Sequence, residues 1–134
     1  MANRIRKVDA NQGQRILATI SSERPDEQHP TFSFEYLEDC DLRHIDKKHL
    51  VSLIGTMQML GQMTWQQIKQ SPRHGLGFEK ISQNAIRRGL PSSVTPDTIL
   101  IAFRFSGKAP MVGFRREATF FVVWLDHDFS LYKH

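Results

Sequence analysis

Aromatic and polar positions alternate along Thr31-Phe-Ser-Phe-Glu-Tyr-Leu37, the period of two that a half-buried strand requires. A polar stretch follows. Asp46 then stands where it can cap a helix in which Leu50, Leu53, Ile54, Met57 and Leu60 return on one face. Gly61 suits the C-terminal cap of that helix. Thr64-Trp-Gln-Gln67 has the spacing of a capping box and opens a second, short helix that stops before Ser71-Pro72. Met57, Met59 and Met63 near this joint read as core filler.

Beyond Gly75 and Gly77 the period changes to that of strands. Phe78 to Ile81 alternates, and Ile99 to Phe105 is an apolar run broken only by Arg104. Met111 to Arg116 and Thr119 to Leu125 read as a hairpin with its turn at Arg116-Glu117-Ala118. Phe120 to Leu125 is the most apolar stretch in the chain and is expected to be a central strand. Phe129 to Tyr132 reads as one more short strand, and Ile86 to Asp97, with two prolines and no periodicity, as a surface loop. The pattern predicts an α+β fold: an N-terminal strand, two helices, then a three- to four-stranded antiparallel sheet with the helices on one side. All nine phenylalanines and both tryptophans lie from Phe32 onward. Residues 1–30 are therefore read as an extension with a linker-like end, and residues 31–134 as a single domain.

Composition narrows the class. With 134 residues, 40% hydrophobic and 24% charged, the chain is one ordinary globular domain. Its single cysteine, Cys40, excludes an intramolecular disulfide and a cysteine-based zinc site. No apolar run approaches the roughly 20 residues needed to cross a bilayer. The basic start, Met1 to Lys7, has no apolar stretch behind it and does not read as a secretory signal. The expectation is a cytoplasmic protein with no membrane partner.

The net charge of +4 is unevenly distributed. Lys69 to Arg116 holds nine Lys/Arg against two acidic residues, whereas the segments on either side are neutral or acidic. Clustered cations of this kind suit a phosphate-bearing partner, because they displace counterions from it. A solvated face that keeps a small protein soluble is the plainer reading.

The familiar catalytic fingerprints are missing: no phosphate-cradling Gly-x-x-x-x-Gly-Lys, no dinucleotide loop and no Gly-x-Ser-x-Gly elbow. Six histidines form no His-x-x-x-His pair, and the sequence calls for neither a metal nor a cofactor. Cys40 reads as a small apolar residue. Three clusters remain. Arg73-His74 precedes a glycine-rich turn, with Glu79 and Lys80 on the next strand. Arg104 and Lys108 lead into a hairpin bearing Arg115-Arg116, and Arg87-Arg88 lie in the loop before it. Tyr132-Lys133-His134 ends the chain. Base, acid and guanidinium groups are the parts needed for metal-free cleavage of RNA by its own 2′-OH.

Taken with Gly77-Phe-Glu-Lys-Ile81, Phe114-Arg-Arg116 and Leu131-Tyr-Lys-His134, the order of elements resembles the RelE/ParE-like toxins of bacterial toxin–antitoxin pairs. The resemblance implies a ribosome-associated endoribonuclease that cleaves mRNA and is neutralised by an antitoxin protein. In that scheme Arg115 or Arg116 binds the phosphate, Tyr132 or His134 acts as acid or stacking group, and Glu79 or His74 as base. Arg73, Lys80, Arg87, Arg88, Arg104 and Lys108 would hold the RNA. Phe103 to Arg115, together with Trp124 to Tyr132, also resembles a set of small bacterial and phage proteins. Two other functions fit the residues: a non-enzymatic nucleic-acid-binding protein using the basic strands, and a small protein-interaction module of a phage or mobile element.

Overall fold

Five strands, β1 (Thr31–Ser33), β2 (Phe78–Ile81), β3 (Leu100–Ser106), β4 (Ala109–Arg116) and β5 (Thr119–Leu125), form one sheet in the order β1-β5-β4-β3-β2. Between β1 and β2 lie the helices α1 (Lys47–Gly61) and α2 (Trp65–Gln70). This computed structural model describes residues 24–38, 42–72, 75–107 and 109–133. Among them no helix is long and apolar enough to cross a membrane.

The class is α+β, as the periodicity predicts, but the sheet differs from the expectation. It has five strands rather than three or four, and it is mixed. β1 runs parallel to β5, with Thr31 opposite Thr119 and Phe32 opposite Phe120, while the remaining neighbours are antiparallel. β5 is interior, yet β4 holds the middle of the sheet. The expected strand at Phe129 to Tyr132 is a turn instead, because the Asp126 carboxylate accepts the N–H groups of Ser130 (2.8 Å) and Leu131 (3.1 Å) and folds the tail back. Residues 34–37 leave β1 in a tight turn closed by the Leu37 N–H on the Phe34 carbonyl.

Both helices start where their caps stand. Asp46 accepts from the His49 N–H at 2.9 Å. At α2, Thr64 and Gln67 exchange side-chain to backbone bonds of 3.2 and 2.9 Å, a complete capping box. α1 runs through Gly61, and Gln62 is its cap. Of the residues expected on its inner face, Leu53 and Leu60 are buried, whereas Ile54 is 62% exposed. Positions 53, 56 and 60 share a face at 3.6 residues per turn, and 54 falls on its outer edge.

Alternation along the strands divides the core into two layers. Ile101, Phe103, Phe105, Met111, Phe120 and Val122 pack against Leu53, Leu60, Trp65 and Ile68 on the helix side. Leu100, Ala102, Val112, Phe114 and Trp124 face the other way, where Val94, Leu131 and Tyr132 cover them. The second layer is roofed by loop and tail, not by a helix. The described end of the N-terminal extension is tied to the helix side, with the Gln28 carbonyl accepting from the Trp65 N–H at 3.0 Å.

Candidate nucleic-acid interface

Two adjacent arginines at the end of β4 take opposite faces, because side chains alternate along a strand. Arg115 points to the helix side. Its guanidinium bonds the Asp26 carboxylate and the Glu117 carbonyl, both at 2.5 Å, and lies 4.3 Å over the Trp65 ring. Lys69 bonds the other Asp26 oxygen at 2.8 Å. The Lys69 and Arg115 hydrogen bonds hold the Asp26 carboxyl below its ordinary range. Arg115 is thus a pin between the N-terminal segment, α2 and the sheet.

Arg116 points outward and is exposed. It has no hydrogen bond or ion pair to any described residue. Its guanidinium lies over two rings instead, 5.0 Å from Phe121 and 5.7 Å from Phe114. Those rings stack on each other at 5.2 Å with their planes 16° apart. Tyr36 joins them from the turn after β1, 5.3 Å from Phe121 and 6.0 Å from Phe114. Tyr36 and Phe121 are only partly buried, so the cluster reaches the surface.

Arg116 also stands at the rim of a cleft of about 430 Å³, set where the chain enters β3. Lys80 of β2, next after Glu79 and so on the helix-side face of its strand, lines the cleft as well, exposed and without a partner among the described residues. The far wall is the Thr95–Thr98 turn. Gln83 fixes it by donating to the carbonyls of Thr95 (2.9 Å) and Thr98 (2.7 Å). The one carboxylate in the lining, Asp97, accepts the Thr95 hydroxyl at 2.5 Å, which lowers its pKa. Ser93 contributes a buried hydroxyl that makes no hydrogen bond to any described residue.

A second group assembles farther along the sheet, on the face away from the helices. Glu79 lies opposite Ala102 on that face, and Tyr132 is buried in the same layer, 6% exposed. Burial pushes the Tyr132 phenol up to about 12, the carboxylates of Glu79 and Asp126 push the same way, and Arg104 opposes them. Arg88 donates to the Ser130 hydroxyl at 3.0 Å, and the Arg87 N–H bonds the Leu131 carbonyl at 2.8 Å, so both help dock the tail. Arg104 pairs with Pro110, six residues from Arg116 along β4. At roughly 3.3 Å per residue, that separates the two arginines by about 20 Å.

The sequence-derived candidates therefore sort into two places. Arg115, Arg116 and Lys80 line the cleft; Glu79, Arg104 and Tyr132 come together on the outer face of the sheet, with Arg87 and Arg88 along the tail. Arg115 faces the helix side. Arg73, His74, Lys108 and His134 lie outside the described residues. The sequence reading passed over Tyr36 and Phe121, although alternation from Arg116 through Phe114 would have marked Phe121 as an outward ring. It also passed over the pair His49 Nδ1 and Ser106 Oγ, 2.9 Å apart, which ties α1 to β3.

A Tyr36→Phe variant leaves Tyr132 as the sole phenol, and its absorbance titration is expected to have a midpoint near 12 rather than the ordinary 10. Because the folded pKa is raised, the associated stability is intact below pH 10 and is lost as pH rises toward about 12. A midpoint at 10 would show the phenol to be solvated.

Compared with known families, curated proteins and solved structures, the chain matches no family model, no curated protein and no solved structure.

Proposed function

We propose that this protein binds nucleic acid through the basic end of its sheet, without needing to cut it. The observation that carries the reading is Arg116, which has no hydrogen bond or ion pair to any described residue, lies over the Phe114 and Phe121 rings, and lines one cleft with Lys80, likewise without a partner among the described residues. Guanidinium and ammonium groups without protein carboxylates are poised for phosphate oxygens. Arg115, by contrast, already spends its donors within the protein.

Anisotropy of a labelled RNA and of a labelled DNA, followed as salt rises from about 50 to 200 mM, tests this: affinity should fall steeply as counterions are released. Arg116→Ala and Lys80→Ala should each weaken binding and reduce the salt slope by about one. A chain that binds neither polymer at low salt would overturn the reading.

A second reading, metal-free cleavage of mRNA, is favoured by the grouping of Glu79, Arg104 and Tyr132. A phenol held neutral to about 12 would serve as acid or hydrogen-bond donor, with Glu79 as base and Arg104 on the phosphate. The same labelled RNA, run on a denaturing gel after incubation with the protein and with Tyr132→Phe, separates cutting from holding.

A further inference from the structure

The two faces of the sheet pack their aromatic rings differently. On the helix side the phenylalanine rings meet edge to face, Phe78 and Phe103 at 71°, Phe32 and Phe120 at 83°, Phe103 and Phe120 at 86°, and Trp65 is tilted 48° to Phe103. Each edge there is closed against a face, as in a finished core. On the outer side Tyr36, Phe114 and Phe121 lie within 16° to 34° of parallel, at 5.2 to 6.0 Å. Parallel stacks are open-ended, and this one ends at the surface under the guanidinium of Arg116. A planar guanidinium over a ring presents its own second face, on which another flat π-system can rest.

Resting on the nucleic-acid reading above, we infer that the ligand is an unpaired nucleotide: its base stacks on the Arg116–Phe121–Tyr36 platform and its phosphate meets Lys80 in the cleft. Base pairs in a duplex have both faces occupied by their neighbours, so a stacking platform of this kind selects bases that are free to splay out. The cleft, at about 430 Å³, falls in the size range of small-ligand sites, which suits one nucleotide unit and no more. Its far wall carries the hydroxyls of Thr95 and Thr98, which bond each other at 3.0 Å and, through Thr95, Asp97, so that what they offer a base edge or a ribose is their remaining lone pairs; Gln83 holds the carbonyls of the same turn. Asp97, held anionic by the Thr95 hydroxyl, repels a phosphate, which leaves the Lys80 side of the cleft as the place for it.

The unpaired nucleotide could belong to a single strand or be free, and one competition experiment separates them. A labelled single-stranded oligoadenylate is bound to the protein and challenged with the same strand unlabelled, with its duplex, and with adenosine monophosphate. The wild type should prefer the single strand to the duplex by at least about tenfold, and Tyr36→Leu should weaken single-strand binding by about 5- to 100-fold. Arg116→Lys is the decisive variant, because it keeps the charge and removes the planar stack. It should retain the salt dependence and lose the single-strand preference. Adenosine monophosphate competing as well as the strand would assign the site to a free nucleotide, and failing to compete would assign it to a polymer; both sustain the stacking site. Equal affinity for single strand and duplex, unchanged by Arg116→Lys, would overturn the inference and leave the nucleic-acid reading standing. Binding to neither would overturn both. Arg116 is exposed, so loss of folding does not confound its conservative variant.

Discussion

Gly113→Ala is expected to lower stability by about 3 kcal/mol or more, above the usual cost of overpacking because the obstacle is backbone. A β-carbon at position 113 would fall on the Phe121 carbonyl oxygen, with the Phe120 ring 3.2 Å away on another side. The register between β4 and β5 slips between Val112 and Gly113, where Val122 rather than Val123 stands opposite the glycine. The missing side chain lets the strands close over that irregularity. The colliding carbonyl belongs to an interior strand paired on both sides, so it has nowhere to withdraw. Because Phe121 also carries the platform ring, the variant should lose Arg116-dependent binding along with stability. Urea unfolding checks the first effect. A midpoint within error of the wild type would show that the two strands have slack at this point.

Trp65→Ala should cost about 3 to 5 kcal/mol, the range for removing a large aromatic from a core. Trp65 is completely buried, its indole N–H donates to the Ala118 carbonyl at 2.8 Å, and its ring lies under Arg115. One residue thus joins α2, the β4–β5 turn and the N-terminal segment. Removing it leaves a cavity, an Ala118 carbonyl with only the Thr31 N–H at 3.1 Å, and an Arg115–Asp26 pair without its floor. Trp65→Phe refills most of the volume but not the hydrogen bond, and should cost about 1 to 3 kcal/mol. Equal losses for the two variants would mean that the indole N–H bond, not the packing, dominates.

How far these features could be read beforehand depends on how local they are. The caps at Asp46 and at Thr64-Gln67 are local chemistry, and both stand where the residues place them. The strands β3 to β5 follow from period-two runs joined by short turns, with Glu117 taking the positive φ at the tip of the hairpin. The pairing of β1 with β5 is different. It links Thr31 to Thr119 through parallel strands with the helices, β2, β3 and β4 between them, and no turn residue announces it. The tail was read as a strand from its apolar residues, whereas the buried Asp126 decides its path, and a buried carboxylate is not visible in a hydrophobic pattern.

The candidate site was legible as charge but not as geometry. Basic residues from Lys69 to Arg116 stood out, yet they divide among three surroundings. Arg115 and Arg116 were paired in the reading because they are adjacent, and a strand separates them for that very reason. Asp26, which engages Arg115, sits in the segment taken to be outside the domain. Tyr36 reaches the platform only because the turn after β1 carries it across β5, held by the Glu38 N–H on the Val123 carbonyl at 2.8 Å. No local rule connects residue 36 to residue 116.

The central claim is that Arg116 on its aromatic stack, with no ion pair among the described residues, together with Lys80 in the cleft, is where nucleic acid binds. Backbone amide chemical shifts, recorded while a short single-stranded oligonucleotide is added, test it most directly. The account predicts that the perturbed amides cluster at Tyr36, Lys80, Thr95, Thr98, Arg116 and Phe121, and that Arg116→Ala abolishes the perturbation. Shifts confined to the exposed face of α1, or to the neighbourhood of Arg104 and Tyr132 farther along the sheet, would contradict it.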